Sequence, residues 1–240
     1  MEENNHKEEQ QKDGFSVLLD PKYPLLKEFK EQAPGTFKHS QALSSMIEAV
    51  AMALNLEGGR LRVAALYHDI GKMFNPKNFA ENQLDGEEIL HETLDPKISY
   101  ELISRHISDS VLILINDHNF PRDIIEIVGQ HHGTTMLRYF YLKHKQVLRY
   151  RSTKPSSIDS MVLMICDQIE ATSKSLIQAG KFDPNKVLND TITGLIDDGQ
   201  FDNVTMKLGD LKKIKSSLAK ELEGLYQKRV DYDSEEDGKE

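Results

Sequence analysis

Tyr67-His-Asp-Ile-Gly-Lys72 closes an apolar run that begins at Leu61, so an imidazole and a carboxylate arrive side by side at the end of what reads as a buried helix. Neighbouring residues on a helix point about 100° apart, so the pair can address one point together only where the helix ends. Gly71 is expected to let the chain turn away there. A carboxylate so placed can bridge two cations while the imidazole binds one of them, which suits Asp69 for the centre of a cluster. By itself a His-Asp dipeptide is usually accidental adjacency, and its weight depends on the rest of the chain.

Working outward, His39 precedes this pair, and His106 and the adjacent His131-His132 follow it. Asp167 completes a set of seven neutral imidazoles and carboxylates, the donor types that hard-to-borderline divalent metals accept. It abuts the apolar stretch Met161 to Cys166, where an ionised carboxylate is strongly disfavoured unless a cation or several donors meet it. The competing reading makes Asp167 part of a polar helix face with Gln168 and Glu170. Likewise, His131-His132 followed by Gly133 suits a helix C-terminus where imidazolium favours the dipole. Five of the nine histidines nonetheless occupy positions that make sense together. His6, His118 and His144 read as surface residues, and His91 as a neighbour of the site.

The segments around these residues read as helices, with no run of period-two alternation and no internal repeat, so the expected class is all-α. Leu43, Met46, Ile47, Val50 and Leu54 mark one face of a helix from Ser40 to Leu56, ended by Gly58-Gly59. The next helix starts near Arg60. Asn75 to Pro96 is rich in Asn, Asp, Glu, Pro and Gly and reads as a long loop or lid. Pro96 opens a helix reaching Asn116, and Pro121 opens Arg122 to His131. Leu137 to Arg151 reads as helical with mixed polarity. Ser156 or Ser157 caps Ile158 to Gln178, Asp183-Pro184 starts a further helix, and Asp210 caps a long one reaching about Arg229. One domain at 21–232 is expected between acidic, disordered tails at 1–20 and 233–240.

At 240 residues and 38% hydrophobic content the chain can bury a substantial core. The single Cys166 forms no internal disulfide and reads as a small core residue, which favours a reducing, cytoplasmic location. No window is apolar enough to span a bilayer, and the polar, acidic start is not a signal peptide, so the expectation is a soluble chain. A formal net charge of −9 excludes a broad basic face for long nucleic acids. A small phosphorylated substrate stays open, because two divalent cations against two ligand carboxylates make a locally positive site.

The order His39, His68-Asp69 and Asp167 resembles the HD superfamily of metal-dependent phosphohydrolases, and His106 with His131-His132 looks like the subset that holds two metals. More specifically, Ala33-Pro-Gly-Thr-Phe-Lys-His-Ser40, Tyr67-His-Asp-Ile-Gly-Lys72, Phe79-Ala-Glu-Asn-Gln83 and His131-His-Gly-Thr-Thr135 followed by Tyr139-Phe-Tyr141 resemble the cytoplasmic HD domain of seven-transmembrane-receptor HD proteins. Those proteins are cyclic di-AMP phosphodiesterases. The likeness runs from about Pro24 through Tyr232 and includes Lys228-Arg229. The membrane helices and extracellular domain of that family are absent, so the chain is either a detached domain, tethered in its parent protein, or a standalone relative. Gly133-Thr134-Thr135 stands where related cyclic di-GMP enzymes carry Gly-Tyr-Pro, and adenine over guanine rests on the likeness alone.

The resemblance implies an HD-superfamily helical domain with two divalent ions, iron or manganese. His39, His68 and Asp167 would gather around one ion and His106, His131 and His132 around the other, with Asp69 shared. It implies hydrolysis of a cyclic dinucleotide, cyclic di-AMP, to the linear dinucleotide by a hydroxide bridging the ions. Lys72 would contact a phosphate, Asn82 and Gln83 on the lid would meet base or phosphate, and Tyr139 or a neighbouring ring would stack on adenine. Two other readings stay open: an HD phosphohydrolase acting on another nucleotide or a linear dinucleotide, and a catalytically silent nucleotide sensor. Sequence leaves the oligomeric state open.

Overall fold

The computed structural model describes residues 14–83 and 90–236, with side chains described as far as residue 224. Two buried helices form its axis. Helix α3 (Pro34–Leu54) buries Phe37, Leu43, Met46, Ile47 and Val50, and α10 (Ile158–Gln178) is buried on every side from Asp159 through Asp167. A helix that is apolar all round belongs in the middle of a core. Around this pair stand α1 (described at 14–18), α2 (Pro24–Gln32), α4 (Gly58–Tyr67), α5 (Leu90–Thr93), α6 (Pro96–Ser104), α7 (His106–Asn116), α8 (Arg122–Gly129), α9 (Arg138–His144), α11 (Pro184–Asp197) and α12 (Leu208–Glu236). Helices α4, α10 and α12 all pack on α3. Ile214, Leu218 and Leu222, at four-residue steps on α12, are fully buried. No strand occurs among the described residues, and none of their helices is long and apolar enough to cross a membrane.

Several boundaries differ from those read in the sequence, each for a local reason. Helix α3 stops at Asn55, which takes the left-handed conformation (φ 57°), not at the glycine pair. Gly58-Gly59 instead opens α4, where the Glu57 carboxylate accepts from Gly59 N. The expected helix from Pro96 to Asn116 is interrupted at Arg105, and the one from Leu137 to Arg151 ends at His144 because Lys145 turns left-handed (φ 56°). The chain then runs extended, and Arg149 bridges to Met136. Ser157 caps α10 in a reciprocal pair with Ser160, and Asp183 caps α11, both as expected.

The N-terminal tail expected at 1–20 is too long. Residues 14–18 are helical, Phe15 and Leu18 lie in the core, and the Leu18 carbonyl accepts from Tyr67 Oη at 2.7 Å. The C-terminal boundary at 232 likewise falls inside α12, whose backbone continues to Glu236. Residues 1–13, including His6, and 237–240 lie outside the described residues, as do 84–89 of the expected lid. The rest of that lid is built structure: short 3-10 turns at Ile70–Phe74, Pro76–Asn78 and Ala80–Asn82, then α5, with Phe79 and His91 buried.

Candidate metal centre

Three helices end in the same way, and that repetition builds the site. The last carbonyls of a helix have no amide partner within it. Ala65 O near the end of α4 accepts from His68 Nδ1 at 2.8 Å, Ile103 O near the end of α6 from His106 Nδ1 at 2.6 Å, and Val128 O near the end of α8 from His131 Nδ1 at 2.6 Å. Each carbonyl takes the Nδ1 proton and turns Nε2 inward toward the cluster, the usual arrangement behind a metal-binding imidazole. His131 does stand at a helix C-terminus, as the competing reading had it, but its Nδ1 donates to the Val128 carbonyl and its Nε2 faces the cluster.

The inward atoms converge on Asp69. Its Oδ1 lies 3.3 Å from His106 Nε2 and 3.6 Å from His131 Nε2, and its Oδ2 lies 3.2 Å from His68 Nε2. His106 Nε2 and His131 Nε2 face each other at 3.3 Å. Asp167, one ridge of α10, places Oδ1 3.0 Å from His39 Nε2 and 3.6 Å from His68 Nε2, with Oδ2 3.7 Å from His132 Nδ1. All seven residues expected to bind metal are therefore brought together. Their donor atoms fall into two groups, one with His39, His68 and Asp69 and the other with Asp69, His106, His131 and His132.

This donor set fits divalent cations. His68 Nε2 and Asp69 Oδ1 are buried and have no hydrogen-bond partner among the described residues, an arrangement that is costly unless an ion is bound between such atoms. The cluster has the nitrogen and oxygen donors that divalent cations accept. Gly133 explains how two consecutive imidazoles reach one cluster: its left-handed backbone (φ 51°) turns the chain directly after them.

Electrostatics divides the imidazoles. Burial opposes charge on His39 and His68, yet the Asp167 and Glu170 carboxylates raise His39 to about 9, and Asp69 with Asp167 raises His68 to about 10. Asp69 and Asp167 stay ionised well below the usual carboxylate range: burial opposes this, but His68, Lys72 and His106 favour it at Asp69, and His39 and His68 at Asp167. Burial lowers His106 to about 4 and holds His132 well below an ordinary histidine, so both are neutral. A metal entering beside His39 and His68 must displace protons that they hold up to pH 9–10. Uptake should therefore tighten by at least about tenfold per pH unit between pH 6 and 8, with proton release. Calorimetric titration with manganese in two buffers of different ionisation enthalpy checks this; uptake independent of pH would contradict it.

Of the residues expected to bind substrate, Lys72 stands beside the cluster, its Nζ 2.7 Å from Asp69 Oδ2 and 2.9 Å from Glu81 Oε1. Burial works against its charge, but these carboxylates hold it protonated above the usual lysine range. Asn82 is engaged within the fold. Its Oδ1 accepts from Gly35 N at 2.9 Å and Thr36 N at 3.1 Å, and its Nδ2 donates to Thr36 Oγ1 at 2.7 Å, so it caps α3, which has no cap of its own. Gln83 likewise donates to the Lys77 carbonyl. Tyr139 lines a groove of about 900 Å³ that leads away from His132 and Asp167 between α10, α11 and residues 135–150. Its hydroxyl donates to the His91 carbonyl, and Lys143 Nζ lies over its ring, 5.5 Å from the centroid. Phe140 is core and Tyr141 is exposed. His91 Nε2 donates to the Asn78 carbonyl, 2.6 Å away, beneath the lid segment.

Three residues at the cluster were not singled out in the sequence. Glu170 Oε2 lies 2.5 Å from His39 Nδ1 and orients that ring, as the backbone carbonyls orient the other three. Glu81 holds Lys72, and Tyr150 stacks on His132. Only Glu170 had a local signal, its i,i+3 spacing from Asp167 on one helix face.

The HD-domain family model matches residues 36–172, a span that contains all seven residues. The chain belongs to the HD-domain family. This HD domain is 35% identical over 228 residues to the cyclic-di-AMP phosphodiesterase PgpH of Listeria monocytogenes, covering 92% of the chain and 32% of the relative, and 31% identical over 223 residues to PgpH of Bacillus subtilis, covering 90% and 31%. It thus spans about a third of the length of these curated relatives. Among solved structures it is similar to the L. monocytogenes PgpH HD domain (TM-score 0.77, 36% identity, 85% of this chain and 99% of that one) and to the same domain in complex with cyclic-di-AMP (TM-score 0.78, 34% identity, 86% and 100%). The all-α HD architecture expected from the sequence is the one observed.

Proposed function

We propose that this HD domain is a phosphodiesterase that hydrolyses cyclic di-AMP to the linear dinucleotide with two divalent ions, iron or manganese. The observation that carries the reading is the convergence of five imidazoles on the carboxylates of Asp69 and Asp167 at the head of a groove with room for a dinucleotide. The likeness to an HD domain solved with cyclic-di-AMP supports the choice of ligand.

His39, His68 and Asp167 would hold one ion and His106, His131 and His132 the other, with Asp69 shared. Such a pair supplies water activation at neutral pH and neutralisation of phosphoryl charge. The chain's own residues do the rest. Lys72 has three ammonium protons, of which two are engaged by Asp69 and Glu81, and the third can meet a phosphoryl oxygen. Glu170 and the three helix-end carbonyls keep the imidazole rings from rotating. The face of Tyr139 offers a surface on which a base can stack.

The test is a substrate panel with the manganese- or iron-loaded protein: cyclic di-AMP, cyclic di-GMP and their linear forms. Conversion of cyclic di-AMP to the linear dinucleotide, faster than that of cyclic di-GMP, is expected. Turnover of linear forms alone would replace the reading with another phosphohydrolase, and tight binding without turnover would replace it with a sensor.

A further inference from the structure

Residues 145–151 follow a left-handed turn and run extended with no regular element of their own, yet they are heavily anchored. Leu137 N donates to Leu148 O at 2.9 Å, and Tyr150 N to Thr135 O at 3.0 Å. Between them Arg149 donates to the Thr134 carbonyl at 2.7 Å and to both oxygens of Asp198, at 2.9 and 2.6 Å. A two-pronged arginine–carboxylate pair fixes orientation as well as position. Gln200, fully buried, closes the same network: its Oε1 accepts from Thr134 N at 3.0 Å, and its Nε2 donates to Asp198 Oδ2 at 2.8 Å. The turn after His131-His132 and the extended segment are therefore held as one piece against the end of α11.

The side chain delivered by this anchoring is Tyr150. Its ring lies on that of His132, with centroids 4.3 Å apart and planes 15° from parallel, and stands edge-on to His106 at 6.1 Å. It lines the groove beside His132 and Asp167. Tyr139 and Tyr100 donate their hydroxyls to carbonyls, whereas that of Tyr150 meets no hydrogen-bond partner among the described residues. Burial keeps it protonated, and the charges that bear on it are those of Lys72, Asp69, Asp167 and Glu81, the charged groups of the cluster. Packing alone would be served equally by phenylalanine.

We propose that Tyr150 is a substrate-orienting residue, its hydroxyl donating a hydrogen bond to a phosphodiester oxygen on the His132 side of the cluster while Lys72 meets the phosphate from the Asp69 side. This rests on the phosphodiesterase reading and adds to it a donor that fixes which way the phosphate turns. A neutral donor to an anionic oxygen contributes about a tenfold difference in affinity or more, and it brings no charge that would compete with the carboxylates for cations.

The experiment compares wild type, Tyr150→Phe and Tyr150→Leu, each with metal content measured, for equilibrium binding of the non-hydrolysable phosphorothioate of cyclic di-AMP and for kcat/KM on cyclic di-AMP itself. Tyr150→Phe keeps the ring on His132 and is expected to retain wild-type metal content while binding the analogue about tenfold more weakly, with kcat/KM falling at least as far. Tyr150→Leu removes the ring as well and should lose metal retention at His132 in addition. A Tyr150→Phe protein equal to wild type in both measurements overturns the inference and reduces Tyr150 to a packing residue. If wild type binds the analogue but hydrolyses nothing, the phosphodiesterase reading fails, while the binding ratio still decides the role of Tyr150. A wild type that does not bind the analogue at all overturns both.

Discussion

Replacing Asp69 by alanine is expected to lower cyclic di-AMP hydrolysis by about 10³-fold or more and to leave the protein unable to retain two metal ions. Asp69 belongs to both donor groups, with His68 and Lys72 at one oxygen and His106 and His131 at the other. Several kcal/mol of transition-state charge stabilisation depends on cations held there, and each 1.4 kcal/mol is about a factor of ten in rate. Alanine also leaves the buried Lys72 ammonium with Glu81 as its remaining carboxylate, so some loss of stability accompanies the change. Asp69→Asn separates the two effects, because it keeps the shape and removes the charge. It should remain folded by circular dichroism and still fail in metal retention and turnover. Full activity in either variant would contradict the shared position of Asp69.

Gly71→Ala should cost about 3 kcal/mol of stability, and most of the activity with it. Gly71 lies where the chain turns away, without a positive φ, and is there because α7 passes directly over it. A Cβ at this position would run into the His106 carbonyl oxygen and the Ser110 amide nitrogen, and would lie 2.8 Å from Asp109 Cβ. Two of these three are backbone atoms and cannot rotate aside. Gly71 N also donates to Ser110 Oγ at 2.9 Å, which ties the turn carrying Asp69 and Lys72 to the helix that begins with His106. Forcing them apart separates Asp69 from His106. Gly58→Ala is the control, since a Cβ there meets nothing within 4 Å. Denaturant midpoints of the two variants decide the matter, and equal stability would sink the explanation.

What the sequence disclosed and what it hid divide along a physical line. The seven clustered residues were legible through their joint order along the chain and the resemblance it carries, since each taken alone has an ordinary structural reading; the most telling local signals were a carboxylate at the end of an apolar run and His-Asp at a helix end. Caps such as Ser157 and Asp183 were legible because they act within three residues of themselves. Hidden were the roles decided by contact between distant segments. Asn82 looks like a loop amide available to a ligand until α3, 46 residues away, takes its oxygen. Nothing near Glu81 or Tyr150 reveals that one holds Lys72 and the other covers His132. The apolar and aromatic content of Leu137 to Arg151 suggested a helix because its buried side, Leu137 and Phe140 packed with Tyr100 and partly buried Leu148 and Tyr150, is a satellite core shared between a short helix and an extended stretch.

The proposed function requires that His39, His68, Asp69, His106, His131, His132 and Asp167 together hold two cations. Anomalous diffraction at the manganese edge, from crystals of the protein loaded with manganese, tests it most directly. Two peaks are predicted, one in contact with His39, His68 and Asp167, the other with His106, His131 and His132, and both with Asp69. A single peak, or peaks away from Asp69, would contradict it.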